Sequence, residues 1–231
     1  MPNSLWVAHD YYDPQFIYEL TRSGSFTSNS FQYGSTGDEI RGLDLDTNGC
    51  IWLTKSQGNE SPDSLIQTNQ SGSAIQSFTT PSTDARGVGI GRDDCIWQAD
   101  AYLCESVYRW NQSGSIEASI SIPTPAGVGV EPDNGSVWVH EYLLDSLHEV
   151  TTGGSIVRSF PTGDAEYGDI GIDNYESIWG MEHDGELRRY DQNMSFIDLL
   201  VVYGHAGPGI SAGTEFSRTL SENVKLRGRQ R

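Results

Sequence analysis

A tryptophan returns at a nearly constant interval along this chain of 231 residues, each time inside the same short phrase. The phrases are Ser4-Leu5-Trp6-Val7, Cys50-Ile51-Trp52-Leu53, Cys95-Ile96-Trp97-Gln98, Ser136-Val137-Trp138-Val139 and Ser177-Ile178-Trp179-Gly180. The intervals between tryptophans are 46, 45, 41 and 41 residues. A period in this range marks a repeat architecture, in which no unit can hide its own apolar face and neighbours must cover it.

The wording around each tryptophan says what the unit is. A second apolar stretch and a turn follow: Ile17-Tyr18 to Gly24, Leu65-Ile66 to Gly72, Val107-Tyr108 to Gly114 and Leu147-His148 to Gly154. In the fifth copy Leu187-Arg188 leads to Met194, where the turn glycine is missing. Third stretches centre on Phe31, Phe78, Ile120, Phe160 and Leu199. A glycine-led or aspartate-led run precedes four of the phrases: Gly42–Asp46, Gly87–Gly91, Gly127–Glu131 and Asp169–Asp173. Four short β-branched or aromatic strands per unit, divided by Gly, Asn, Asp and Ser turns, are the blade of a β-propeller. The expected fold is therefore all-β: a five-bladed β-propeller of four-stranded antiparallel blades.

Length fixes the closure. Five repeats averaging about 43 residues need about 215, which leaves only a short remainder. The first copy opens at its tryptophan strand and lacks a glycine-led run, and Gly209-Ile210-Ser211-Ala212-Gly213 supplies a match for it. The C-terminal strand is thus expected to join the N-terminal blade as its innermost strand, so that the closed ring leaves no free inner edge. Residues 1–217 form the propeller and 218–231 a tail.

Charge narrows the setting. Thirty-two acids against fourteen bases leave a net charge of -18, and lysine is scarce, with Lys55 and Lys225 beside twelve arginines. Such a surface repels itself in dilute buffer, whereas about 1 M salt shortens the screening length to about 3 Å and removes that cost. The tail reverses the sign: Arg218, Lys225, Arg227, Arg229 and Arg231 stand against Glu222 alone, giving +4 there and -22 over residues 1–217. It is either a solvated end or an arm that anchors on an acidic partner. The acidic body disfavours nucleic acid, which needs a basic face. No run of 18 apolar residues is present, so no membrane-inserting helix is expected, and Met1-Pro2-Asn3-Ser4 does not begin a signal peptide.

The repeat wording, Gly-Val-Gly, then Ile-Trp, then Ile-Tyr and Ser-Gly-Ser, resembles NHL-type and virginiamycin B lyase-like propeller repeats over nearly the whole chain. The lyase-type members are similar in blade wording but usually have seven blades. The composition resembles that of proteins from extremely halophilic archaea and their viruses; an acidic mesophilic protein is the alternative.

Candidate chemistry falls in two places. Alternation along the innermost strands turns Leu43, Leu45, Val88, Ile90, Val128, Val130, Ile170 and Ile172 between blades, and leaves Gly42, Asp44, Gly87, Gly89, Gly127, Gly129, Asp169, Gly171, Gly209 and Ser211 toward the axis. Glycines suit a narrow five-fold ring. Asp44, Asp46, Glu131, Asp169 and Asp173 are the candidate ligands of a bound cation near the axis, with solvated loop-end acids as the alternative; no other cofactor is expected. Three residues beyond each tryptophan come His9, Lys55, Asp100, Glu141 and Glu182, with His140 and His183 adjacent. The resemblance to lyase-type propellers implies a histidine–glutamate pair for metal-assisted proton abstraction, which His140/Glu141 and Glu182/His183 superficially match. A glycosidase would need two carboxyl groups about 5–10 Å apart. Four residue types over the five copies of one repeat position read more simply as a variable rim, so His9, Asp100, His140, Glu141, Glu182 and His183 are candidate ligand contacts, and no residue is assigned as catalytic. His148 reads as a half-buried strand residue.

Cys50, Cys95 and Cys104 read as free thiols, because the first two sit at equivalent places in different blades. The sequons at Asn59, Asn69, Asn111, Asn134 and Asn193 read as turn chemistry. The expected function is a non-enzymatic display or binding module: most specifically a virion surface protein (capsid turret, spike or host-attachment protein) of a haloarchaeal virus, with capsid or virion proteins as partners through the basic tail and host surface glycans as a ligand. The alternatives are a metal-assisted lyase- or glycosidase-like enzyme, or a scaffold in the haloarchaeal cytoplasm.

Overall fold

A computed structural model describes residues 4–201, apart from 10–14, 22–24, 57–61, 82, 92, 102–103, 132–134, 164–166, 174–176 and 183–185. Its regular elements are nineteen strands in five sheets. Blade 1 holds β1 (Ser4–His9), β2 (Gln15–Thr21) and β3 (Phe26–Tyr33). Blade 2 holds β4 (Glu39–Leu45), β5 (Ile51–Ser56), β6 (Ser64–Thr68) and β7 (Ala74–Thr79). Blade 3 holds β8 (Ala85–Ile90), β9 (Ile96–Asp100), β10 (Ser106–Trp110) and β11 (Ile116–Ser121). Blade 4 holds β12 (Pro125–Val130), β13 (Val137–Glu141), β14 (Ser146–Val150) and β15 (Ile156–Pro161). Blade 5 holds β16 (Tyr167–Ile172), β17 (Ile178–Glu182), β18 (Glu186–Tyr190) and β19 (Phe196–Val201). Each strand pairs antiparallel with its sequence neighbour, and the first strand of each four-stranded blade is the innermost.

The apolar residues alternate because a strand turns successive side chains to opposite faces. Each tryptophan points to the following blade. Trp6 packs with Ile40, Leu43 and Leu53 of blade 2; Trp52 with Val88, Ile96 and Trp110 of blade 3; Trp97 with Val128 and Val139 of blade 4; Trp138 with Tyr167, Ile170 and Ile178 of blade 5. Trp179 completes the circle with Val7 and Leu20 of blade 1. Five interfaces for five blades is a closed ring. The apolar inner-strand residues expected between blades lie in these cores, and Trp110, outside the repeat series, is buried in the blade 2–blade 3 core against Phe78.

Blade 1 shows three strands among the described residues, and the place left vacant in the repeat pattern is the innermost one. The segment expected to fill it, 209–213, and the tail lie outside the described residues.

The hairpin turns carry their own chemistry. The Asn69 side-chain oxygen Oδ1 accepts from the Ser71 and Ser73 amides, Asn111 Oδ1 repeats this with Ser113 and Ser115, and the Asp191 carboxylate does so with Asn193 and Ser195. Gly114 adopts φ +81°, and a Cβ there would sit 2.3 Å from the Phe78 ring of the preceding blade. In the fifth copy Met194 takes the same left-handed backbone at φ 59° and packs against the blade 4–blade 5 core. Such a conformation costs a side-chain-bearing residue about 1–2 kcal/mol, which this packing offsets.

Candidate functional site

The axis is built of backbone. A Cβ on Gly42 would lie 2.6 Å from the Gly87 Cα, one on Gly87 2.6 Å from the Ala126 carbonyl, and one on Gly127 2.7 Å from the Ile170 nitrogen. Neighbouring inner strands therefore touch main chain to main chain, and glycine is obligatory because nothing there can yield. Blade 5 departs from the pattern by placing Asp169 where the others have glycine. Its carboxyl reaches across the axis: Oδ2 accepts the Leu43 amide of blade 2 at 3.2 Å, and Oδ1 accepts the Val128 amide of blade 4 at 3.3 Å and the adjacent Ile170 amide at 2.9 Å. Burial raises its pKa well above the ordinary carboxylate value, against the pull of these three donors. Asp44 accepts the Leu45 amide and, from blade 3, the Ile90 amide at 2.7 Å; burial pushes its pKa up to about 7.

Asp46, Glu131 and Asp173 have a different task. Each ends an inner strand, is buried, and accepts the indole N–H of its own blade's tryptophan: Asp46 from Trp52 at 3.2 Å, Glu131 from Trp138 at 2.8 Å, Asp173 from Trp179 at 3.2 Å. Asp46 also caps the following turn through the Asn48 and Cys50 amides and accepts the Gln67 side-chain amide at 2.6 Å. Gln192 adds a 3.1 Å bond to Glu131, and Arg189 lies 3.6 Å from Asp173. These acids are neither solvated ends nor a convergent set; they orient the interblade tryptophans. Among the described residues no three His, Cys, Asp or Glu side chains converge in a metal-holding group.

At the far end of the tryptophan strands three of the expected rim residues are buried. Asp100 and His140 are each 0% exposed and Glu141 is 3%. Strand alternation separates the adjacent His140 and Glu141. His140 faces blade 5, its ring edge-on to Tyr167 and its Nδ1–H directed at the Tyr167 carbonyl at 3.0 Å. That tautomer leaves a lone pair on Nε2, which has no hydrogen-bond partner among the described residues. Burial lowers the His140 pKa to about 4, so the ring is neutral at pH 7.

Glu141 faces the opposite way. Its Oε2 lies 2.9 Å from His148 Nε2, and His148 Nδ1 lies 2.7 Å from the Ser159 hydroxyl, a chain running outward across three strands. His148, expected to be half-buried, is 8% exposed and is the partner of Glu141 Oε2, whereas Oε1 has no partner among the described residues. Lys55 pairs with Asp38 at 3.1 Å. His9 and Glu182 end their strands, but their side chains, with His183 and Arg218, Lys225, Arg227, Arg229 and Arg231, lie outside the described residues. Cys50, Cys95 and Cys104 are free.

No protein-family model matches the chain, and no curated protein does. Solved structures do. A catalytically inactive virginiamycin B lyase from Staphylococcus aureus with quinupristin aligns at TM-score 0.53 and 20% identity, over 81% of this chain and 63% of the lyase. The chain thus spans less than two thirds of that enzyme. A protein of unknown function from Bacteroides caccae aligns at TM-score 0.62 and 13% identity, over 93% of this chain and 98% of its own. A chain of a nidogen/laminin complex aligns at TM-score 0.62 and 10% identity, over 92% and 97%. At these identities the likeness is one of fold: five blades of an all-β propeller.

Proposed function

We propose that this chain is a non-enzymatic binding propeller, a rigid ring that meets a protein partner through its rims and loops. The observation that supports it is the filled axis. Where a propeller enzyme needs an open polar site, the described inner strands make main-chain contact at Gly42, Gly87 and Gly127, and the Asp169 carboxyl is spent on three backbone amides. The chain of the nidogen/laminin complex that shares the fold lends support to a protein partner.

The more specific form of the proposal is display on the virion of a haloarchaeal virus, as a turret, spike or attachment protein held by the basic tail and able to contact host surface glycans. Its support is the net charge of -18, the scarcity of lysine and the opposite sign of the tail. The test takes purified protein in molar salt and measures binding to host envelope preparations, alongside mass spectrometry of purified particles. Saturable binding or particle association is expected. A metal-dependent turnover that disappears in His140→Ala or Glu141→Gln would overturn the non-enzymatic reading.

A further inference from the structure

Leu143 and Leu144 are each 68% exposed, more than any other large apolar side chain among the described residues. They form the apex of the loop between β13 and β14. Scattered surface leucines need no explanation, but this adjacent pair stands on a braced platform. The Tyr142 amide donates to the Thr124 carbonyl at 3.1 Å and the Leu143 amide to the Thr124 hydroxyl at 3.4 Å. The Ser146 hydroxyl donates to the Leu144 carbonyl at 2.9 Å, and the Thr162 amide to the Asp145 carbonyl at 2.7 Å. From blade 3, the Arg86 guanidinium covers the Tyr142 ring at 5.7 Å.

The platform also holds strain. Asp145 and Thr124 are non-glycine residues in left-handed backbone, at φ 46° and 39°. Blade 3 repeats the wording and the bend: Tyr102-Leu103-Cys104-Glu105 corresponds to Tyr142-Leu143-Leu144-Asp145, Glu105 sits at φ 44°, and its carbonyl accepts the Ile122 amide at 3.2 Å. Strain kept at a rigid apolar tip is a mark of pre-organisation for a contact.

Charge selects the partner. Asp145 lies in the loop, the exposed Glu105 in its twin, and the nearby Arg86 is already paired with Asp84 at 3.1 Å, all on a chain of net charge -18. A second copy, or an anionic bilayer, would press like charges on Asp145 and Glu105 into direct contact, where salt screens them little. We propose that the loop Tyr142–Asp145 is a docking knob for a different protein that offers a concave apolar socket rimmed by lysine or arginine. The assignment rests on the binding-propeller reading and gives it a surface.

The test places the photo-crosslinker p-benzoylphenylalanine at position 143 of the full chain, with position 75 on β7 as a separate probe, in the cells that produce the protein. The expected result is one crosslinked protein whose attached peptide is apolar and flanked by Lys or Arg. With that protein purified, the double variant Leu143→Ser/Leu144→Ser weakens binding about a hundredfold or more, as loss of two buried leucines requires. Leu143→Met/Leu144→Met retains binding and Ile75→Ser leaves it unchanged. Crosslinks from position 143 to lipid, to a second copy or to an acidic peptide overturn the proposal. Silence at position 143 with a partner crosslinked from position 75 overturns the loop assignment and leaves the binding reading standing, whereas silence at both overturns both.

Discussion

Asp169→Ala tests whether the ring is held at its centre by one carboxyl. The substitution keeps the Cβ but removes the acceptor of the Leu43 and Val128 amides, donated from blades 2 and 4 at 3.2 and 3.3 Å. Orphaning each buried amide costs about 1–3 kcal/mol, and releasing a desolvated carboxyl returns part of it, so a net loss of about 2–3 kcal/mol is expected. For a chain of this length that is a fall in Tm of about 5–10 °C. Asp169→Asn separates the contributions. Its amide oxygen still serves Val128 and Ile170, but its NH2 faces the Leu43 amide, donor against donor, so its cost is about half that of alanine. The assay is guanidinium unfolding at fixed pH and salt, with amide exchange read at Leu43 and Val128. If alanine costs under about 0.5 kcal/mol and exchange at Leu43 is unchanged, packing alone holds the axis and the reasoning fails. Asparagine costing more than alanine would refute it equally.

Four further outcomes follow from the same geometry. Gly87→Ala sets its new methyl 2.6 Å from the Ala126 carbonyl and the Val128 nitrogen, whereas Gly129→Ala meets the movable Ile172 side chain at 2.9 Å; urea unfolding should show a loss above about 3 kcal/mol for the first and about 1 for the second. Asp46→Ala strands the Trp52 indole and the Gln67 amide and should cost about 2–3 kcal/mol, with a shifted tryptophan emission before any denaturant is added. Asp44, with a folded pKa of about 7 raised by burial, stabilises the protonated fold; its contribution is full below about pH 4 and lost as pH climbs to 7, about 4 kcal/mol in all, and the difference curve against Asp44→Asn should show that slope. His140 has the opposite sign: with its pKa lowered to about 4, it withdraws about 3 kcal/mol of stability as pH falls from 6.5 to 4, a slope that His140→Gln should abolish.

The blades were legible because the signals that make them are local and repeated. The tryptophan period and the Gly-Val-Gly runs gave strand identity, inner position and blade number, and the inner apolar set lies in the interblade cores as alternation requires. The acids were harder. Asp46, Glu131 and Asp173 stand six or seven residues before Trp52, Trp138 and Trp179, a spacing visible in the chain. Its meaning needs the hairpin that folds the acid back onto the indole. His140 and Glu141 looked like a pair because they are adjacent, but adjacency inside a strand sends side chains to opposite faces. The partner of Glu141 is His148, across one strand pairing and seven residues on. Long-range polar partners of this kind carry no periodic signal, so only register reveals them.

Repetition also separates what belongs to the ring from what the ring carries. Phe26, Ile75, Ile116, Ile156 and Phe196 are all exposed at or beside the start of an outer strand, one per blade. Such a belt invites an interface reading, yet its recurrence has an internal cause. In four blades the position closes the same hairpin, pairing Phe26 with Leu20, Ile116 with Trp110, Ile156 with Val150 and Phe196 with Tyr190, whereas in blade 2 Ala74 takes that place beside Ile75; Phe26 also lies edge-on to Tyr18 at 5.2 Å, and Phe196 edge-on to Tyr190 at 5.9 Å. A feature that recurs at one hairpin position around the ring answers a need of the fold. Asp169 and His140 break the repeat, and the Leu143-Leu144 pair of the knob is answered in blade 3 by Leu103-Cys104. Asp169 is accounted for by the axis it fills and His140 by the Tyr167 carbonyl it meets. Leu143 and Leu144, 68% exposed on a braced and strained loop, bury little against the ring and so remain free to be covered by the partner proposed above.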